Sequence, residues 1–240
     1  MLTICLPTYN ERENIRHVIN QIGHTLNKID IPIKVLVIDD QSPDGTGEIA
    51  EKIAAQHAWV EVIHRARREG IGPAYLDGFK YALNTEADLI IAMDCDLSHN
   101  PEDIKRLIET TDKADLVIGS RYTSGGSTKN WSPLRRAISR GGCLYSQAVL
   151  HTSIKDLTSG FRCFKRSVLE EIPLEKIRSR GYAFQVEIAY RVLQAGYRVV
   201  EIPIIFTERK TGTSKMGYRI IGEAIWKIPA IRIQAARKCL

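Results

Sequence analysis

Apolar residues arrive in this chain as short unbroken runs, and between the runs they recur every three or four positions. Leu2–Leu6, Ile33–Ile38, Val60–His64, Leu89–Met93 and Asp115–Ile118 have the length and β-branched character of strands covered on both faces. After the first run, Ile15, Val18, Ile19, Ile22 and Leu26 share one helical face. Further helices are predicted through Ala50 and Ile53, through Tyr75, Phe79 and Leu83, and from about Pro101 to Thr111. Strand and helix thus alternate at short spacing, which predicts an α/β domain on a parallel, doubly wound sheet with helices on both faces. Ligands of such sheets gather at the carboxyl ends of the strands.

Those ends carry the polar residues. The Leu89–Met93 run closes in Asp94, Cys95 and Asp96, and Asn100-Pro101-Glu102 then opens a helix. Two carboxylates at a strand tip are hard oxygen donors suited to Mg²⁺ or Mn²⁺ carrying a diphosphate, although the same residues also suit a solvated loop with a helix cap. The first strand leads into Pro7-Thr8-Tyr9-Asn10-Glu11. The second ends in Asp39-Asp40, followed by turn chemistry over Ser42–Thr46. In a parallel sheet Glu11, Asp39-Asp40 and Asp94 with Asp96 share one edge, so a nucleotide can lie across them with Asp40 near base or ribose. Arg121, Arg209 and Lys215 are cations able to neutralise phosphate, or else solvated surface charges.

Beyond Arg121 the rhythm changes. Ser124-Gly125-Gly126-Ser127 reads as a flexible connector, and Pro133–Leu150 as a helix bearing Arg135, Arg136, Ser139 and Arg140, with Gly141-Gly142 as a point of interruption. Asp156–Phe164 is a loop entering a short strand, and Gly181–Ala195 is helical. Tyr197–Phe206 is strand-like, and its Pro203 calls for an edge or a bend. A basic loop, Arg209–Lys215, precedes an amphipathic helix over Met216–Lys238 that Pro229 should kink or break. That helix has a moment that serves core packing or a membrane surface equally. The expected organisation is a catalytic domain over 1–210 and a basic loop with an amphipathic helix over 211–240.

Composition narrows the function classes. With 44% apolar and 26% charged residues and no repeat, the chain is an ordinary globule rather than a disordered one. Five scattered cysteines without CxxC spacing point to neither a disulfide framework nor a zinc site, and fit a reducing cytoplasm. No apolar run approaches 18 residues, so a spanning helix is not expected. A net charge of +6 favours an anionic partner: phosphorylated substrate, membrane surface or nucleic acid. No nucleic-acid-binding signature accompanies the charge, so nucleic acid is not an expected partner. A Rossmann dehydrogenase is disfavoured as well, because Pro7-Thr8-Tyr9-Asn10 stands where the glycine turn after the first strand would be.

Seven segments together carry a resemblance: PTYNE (Pro7–Glu11), IDDQSPDGT (Ile38–Thr46), REGIGPAYLDG (Arg68–Gly78), MDCDLSHNP (Met93–Pro101), GSRY (Gly119–Tyr122), DLTSGFR (Asp156–Arg162) and RKTGTSK (Arg209–Lys215). In this order they resemble the family-2 glycosyltransferases, and within them the dolichol-phosphate or polyprenol-phosphate mannose synthases. The resemblance implies a GT-A fold, a GDP-mannose donor, Mg²⁺ or Mn²⁺, and inverting transfer of mannose to a polyprenyl monophosphate. It implies that Pro7, Tyr9, Glu11, Ile38 and Asp40 contact guanosine. Asp94, Cys95 and Asp96 would lie along ribose and diphosphate, with Asp96 the main metal ligand and Asp94 and Ser98 assisting. Arg121, Arg209 and Lys215 would bind phosphates, Arg121 joining Asp94 and Asp96 as the catalytic set, and Arg135 and Ser139 would meet the lipid phosphate.

A phosphate monoester arrives already deprotonated, so no catalytic base is needed and His99 is read as a positioning or packing residue. Some relatives append membrane helices and others use small membrane subunits. With neither in this sequence, a peripheral position on the cytoplasmic face is expected, with a small membrane subunit as a further partner. The alternatives are a family-2 transferase using another donor, such as UDP-glucose, or another acceptor, and a non-catalytic nucleotide-binding subunit of a membrane complex.

Overall fold

The structure, a computed structural model, describes residues 1–26, 28–179, 181–208 and 226–234. In chain order the first half runs β1 (Leu2–Thr8), α1 (Ile15–Leu26), β2 (Ile33–Asp39), α2 (Thr46–Ala54), β3 (Val60–His64), α3 (Ile71–Leu83), β4 (Leu89–Ala92), α4 (Asp103–Thr110) and β5 (Leu116–Ser120). The second half adds β6 (Ser127–Lys129), α5 (Pro133–Leu150), β7 (Arg162–Lys165), α6 (Arg166–Glu171), α7 (Tyr182–Gln194), β8 (Val199–Pro203) and β9 (Ile205–Thr207). Among the described residues the main sheet has the order β3-β2-β1-β4-β7-β5-β8, and β6 and β9 form a small parallel pair. Only β7 runs against its neighbours, pairing antiparallel with both β4 and β5. The local pattern marks that stretch as a strand and carries nothing about its direction.

The alternation of side chains across the sheet explains why the strands read as unbroken apolar runs. Cys5, Leu36, Ile38, Ile90, Ala92, Leu116 and Ile118 pack with α3, α6 and α7. Their neighbours Ile4, Leu6, Val35, Val37, Ile91 and Val117 pack with α1, α2 and α4 on the opposite face. The expected helices on both faces of a mainly parallel sheet are therefore present.

Three details depart from expectation or refine it. α5 continues through Gly141 and Gly142 without a break. Both glycines are exposed, and the helix is secured at its start by the Ser132 side chain accepting from the Arg135 amide, with Pro133 in its first turn. β8 ends at Pro203 and β9 begins at Ile205, so the bend is present, and β8 is an edge strand, where a missing N–H is tolerated. The described part of the terminal helix, 226–234, stays helical through Pro229, so of the expected kink or break there is no break within these residues. Ile228 and Ile231 hold it in the core beside Leu150, and Arg232 donates to the Val149 carbonyl at 2.8 Å. The rest of the Met216–Lys238 helix lies outside the described residues.

One close approach sets the position of α3 against α7. A Cβ on Gly72 would stand 2.8 Å from the Ser179 carbonyl oxygen and 3.1 Å from Phe184 Cβ. Gly72→Ala is therefore expected to lose about 1–3 kcal/mol of stability by overpacking. Urea denaturation checks this; a midpoint equal to the parent's would mean that the two helices are free to part.

Candidate active site

The parallel registers bring three loops to one edge. Thr8 of β1 lies beside Asp39 of β2, and Cys5 beside Ala92 of β4, so the segments that follow these strands emerge together. Between them opens a cavity of about 260 Å³. Pro7, Thr8, Tyr9, Glu11, Asp40, Arg68 and Gly70 line one end, Asp94, Cys95 and Asp96 the middle, and Thr158, Gly160, Gly181 and Gln185 the other.

The two neighbouring aspartates after β2 have different uses. Asp39 builds the loop: it accepts from the Ser42 amide at 3.1 Å and the Ser42 hydroxyl at 2.6 Å. Asp40 faces the cavity and is gripped from behind by Arg65, which also binds Asp77 at 2.7 Å and Glu69 at 3.0 Å. Burial pushes the Asp40 carboxyl up from its ordinary value, and Arg65 offsets this only in part. The first loop is tied to the second: the Glu11 amide donates to Thr46 Oγ1 at 2.9 Å, and the Arg12 amide to Asp44 at 3.1 Å. Over the cavity mouth the Arg68 guanidinium sits 3.9 Å from the centroid of the Tyr9 ring.

At the tip of β4, Asp94 accepts from the Tyr75 hydroxyl at 3.0 Å, and Asp96 accepts from the Ser98 amide at 3.1 Å. Tyr75 is fully buried, stacked between Phe79 and Phe184, so the orientation of Asp94 is set by helices α3 and α7 together. The loop before β7 presses in from the other side: a Cβ on Gly160 would come within 3.2 Å of the Asp94 carboxylate. His99 is buried, stacks on Phe161, and through Nδ1 accepts the Asp94 amide at 3.3 Å. Burial holds its imidazole below the ordinary value, so the ring is neutral near pH 7 and serves as packing and support.

These residues fit a hard divalent cation. Asp94 and Asp96 supply carboxylate oxygens, and the buried Ser98 Oγ is without a partner among the described residues. No three His, Cys, Asp or Glu gather as a metal cluster among the described residues. A cation held here would complete its coordination with substrate oxygens and water, the habit of Mg²⁺ and Mn²⁺ at diphosphates.

Arg121, Arg135 and Ser139 gather in a second cluster next to the cavity. Arg121 is buried and binds Asp156 through Nε at 2.7 Å and Nη2 at 2.6 Å, and it donates to Thr158 Oγ1 at 2.7 Å. Trp131, Tyr122 and Phe206 surround its guanidinium, with centroids 5.3–5.4 Å away. Arg135 stacks on Trp131 at 4.3 Å and pairs with Glu208, while the Tyr122 hydroxyl donates to Ser139 at 2.7 Å. Three buried N–H groups here and beside it lack acceptors among the described residues: His99 Nε2, Trp131 Nε1 and Arg135 Nε. Buried donors without acceptors are rare and mark places where an anion or water belongs.

Of the other residues singled out from sequence, Pro7, Tyr9, Glu11, Asp40 and Cys95 line the cavity. Ile38 does not: it is wholly buried beneath Gly78 of α3, because the pleat turns that position toward the helix. Arg121 is likewise not on the cavity wall, and Thr158 stands between them. Arg209 and Lys215 lie outside the described residues. Tyr75, Arg68, Thr158, Gly160 and Gln185 were not foreseen as site residues. The first two fall within the Arg68–Gly78 segment and the next two within Asp156–Arg162, whereas Gln185 has no local signal at all.

Residues 3–173 match the family model described as glycosyl transferase family 2. The chain belongs to that family. It is therefore an enzyme that transfers glycosyl groups. A polyprenol monophosphomannose synthase of Mycolicibacterium smegmatis is 43% identical over 227 residues, covering 94% of this chain and 84% of its own. An undecaprenyl-phosphate mannosyltransferase of Micrococcus luteus is also 43% identical, over 225 residues, with 94% and 90% covered. Solved structures share the GT-A-type fold of this family-2 chain at low identity. One is a glucosyl-3-phosphoglycerate synthase of Mycobacterium tuberculosis with Mn²⁺, UDP and phosphoglyceric acid (TM-score 0.68, 17% identity, 98% of this chain and 78% of that one). Another is a mannosyltransferase of Pyrobaculum calidifontis with GDP-mannose and Mn²⁺ (TM-score 0.62, 17% identity, 99% and 64% covered).

Proposed function

We propose that this family-2 glycosyltransferase moves mannose from GDP-mannose to a polyprenyl monophosphate, with a divalent cation and with inversion at the anomeric carbon. The observation that carries the reading is the adjacency of two unlike sites through Thr158. On one side lies a cavity with carboxylates at its centre; on the other, a cluster with two arginines, paired with Asp156 and Glu208, and with N–H donors that lack acceptors among the described residues, which suits a phosphate. The names of the 43%-identical relatives supply the acceptor and the sugar.

In this mechanism a phosphate oxygen of the acceptor attacks the anomeric carbon, and the bond to the diphosphate breaks on the opposite face. The phosphate carries its own negative charge, so no residue has to remove a proton. A divalent cation, when bound, offsets the charge on the departing diphosphate. Asp94 and Asp96 would hold it, Asp40 with Arg65 behind it fixes the base, and the Tyr9–Arg68 stack lines the nucleotide's end of the cavity. Arg135 and Ser139 orient the incoming phosphate, so that two anions meet in line rather than repel, and the buried His99 and Trp131 rings support that wall. Arg121, already neutralised by Asp156, holds that wall in place.

The acceptor's lipid chain implies a membrane surface. On α5 the exposed Arg136 and Arg140 lie between the exposed Leu134 and Leu144, and Trp226 and Ile233 are exposed on the 226–234 helix. Apolar side chains among cations suit peripheral contact with anionic lipid. Among the described residues no helix is long and apolar enough to cross a membrane.

The test is transfer of labelled sugar from GDP-mannose and, separately, UDP-glucose to a polyprenyl phosphate in detergent with Mn²⁺ or Mg²⁺, with EDTA as the control. Mannolipid from GDP-mannose alone, abolished by EDTA, is the expected result. Glucolipid formed from UDP-glucose instead would overturn the donor.

A further inference from the structure

The wall of the cavity opposite the nucleotide loops is built around one buried cation. Arg162 is wholly buried, and its guanidinium donates to three backbone carbonyls: Ser159 at 2.8 Å, Leu157 at 2.7 Å and Gln185 at 2.7 Å. It thereby fastens the loop carrying Thr158 and Gly160 to the first turns of α7. Phe184, the residue before Gln185, stacks on Tyr75, whose hydroxyl orients Asp94. Gln185 is thus held rigidly with respect to the carboxylates at the centre of the cavity.

The Gln185 side chain makes no hydrogen bond to any other described residue. It is 4% exposed and lines the cavity, yet its amide has no hydrogen-bond partner among the described residues. Its amide atoms are not among the sealed, unpaired polar atoms, so the little surface it keeps includes the amide tip, on the side of the cavity. An amide at the cavity surface with no partner among the described residues is hydrogen-bonded by water or by a ligand that displaces it, and a binding site is where such a group persists. Gly181, which caps the start of α7 with a positive φ of 59°, lines the same end.

We propose that Gln185 reads the hydroxyl groups of the transferred sugar and is a specificity-determining residue of this enzyme. The chemistry suits the place. A primary amide offers two donors and one acceptor, which matches hydroxyls that both give and accept. It is also uncharged, so it adds no repulsion beside a diphosphate and an incoming phosphate, as a carboxylate would. A site built to hydrogen-bond a hydroxyl discriminates strongly, because the wrong sugar leaves its buried polar group unpaired. Arg162 is the positioning residue behind it.

This inference rests on the proposed donor, and the experiment separates the two. Calorimetric dissociation constants with Mn²⁺ are compared for GDP-mannose and GDP, in the parent and in Gln185→Met, which keeps the volume and removes the amide. The expected result is a loss of tenfold or more in affinity for GDP-mannose with GDP unchanged within twofold. Equal losses for both ligands, or no loss for either, would overturn the role. Should Q185M lose its thermal transition, Gln185→Asn carries the same comparison. A parent protein that binds UDP-glucose rather than GDP-mannose overturns the donor alone, and Gln185 is then judged by the same ratio on UDP-glucose and UDP.

Discussion

Asp96→Ala is expected to lower sugar transfer to lipid phosphate by about 10²–10³-fold or more, the scale of losing one group that stabilises charge in the transition state. The fold should barely notice. Asp96 is buried at the tip of β4, where it accepts from the Ser98 amide at 3.1 Å. Losing that bond costs about 1 kcal/mol, which for a chain of this size lowers the melting temperature by roughly 2–4 °C. Initial rates at saturating Mn²⁺, with a melting curve, separate the two effects. The binding of Mn²⁺ with GDP should weaken in parallel. A variant that retains a tenth of the parent's rate would move the cation away from Asp96.

The largest loss of stability is expected from Asp156→Ala. Asp156 is fully buried, and its carboxylate receives Nε and Nη2 of Arg121 together with the Arg121 backbone amide at 2.9 Å. Removing it leaves a guanidinium that is 7% exposed without its counter-charge, at a cost of about 3–5 kcal/mol. At 2–4 °C per kcal/mol the melting temperature should fall by roughly 6–20 °C. Denaturation in urea tests this, and a loss under 1 kcal/mol would mean that Arg121 finds another anion or water.

The same pair sets an acid limit. Burial works against ionisation of Asp156, but attraction and hydrogen bonds from Arg121 outweigh it and hold the folded carboxyl below its ordinary value. The unfolded chain then binds the proton more readily, so this contribution is complete above roughly pH 5. It is lost as the pH drops below about 3.8 toward the folded value. Urea midpoints of the parent should decline over that acid range, and those of the alanine variant should decline less.

The same balance of local and distant forces decides what can be read from a sequence. Five strands and the helices between them are legible because burial on two faces and helical periodicity are local patterns, present in any window of a dozen residues. The carboxylates at the strand tips are legible for the same reason, since Asp40, Asp94 and Asp96 directly follow the runs that carry them. Strand direction is different. Nothing within Arg162–Lys165 states that it must run antiparallel between β4 and β5; that follows from where the chain re-enters the sheet. Ile38 shows the limit at a single residue: positions 38 and 40 have the same parity, yet Ile38, inside β2, packs under Gly78 of α3, whereas Asp40, just past the end of the strand, faces the cavity.

By itself the sequence determined an α/β domain with acidic strand ends on one edge, and its seven motifs pointed to family 2. Only the tertiary structure decided that Arg121 is neutralised by an aspartate 35 positions away, and that Arg65 stands behind Asp40. It alone turned a plain helical glutamine toward the cavity. The reason is physical: periodicity records which side of an element is buried, whereas the partner of a polar group across the fold depends on how distant elements pack, and that leaves no trace in local spacing.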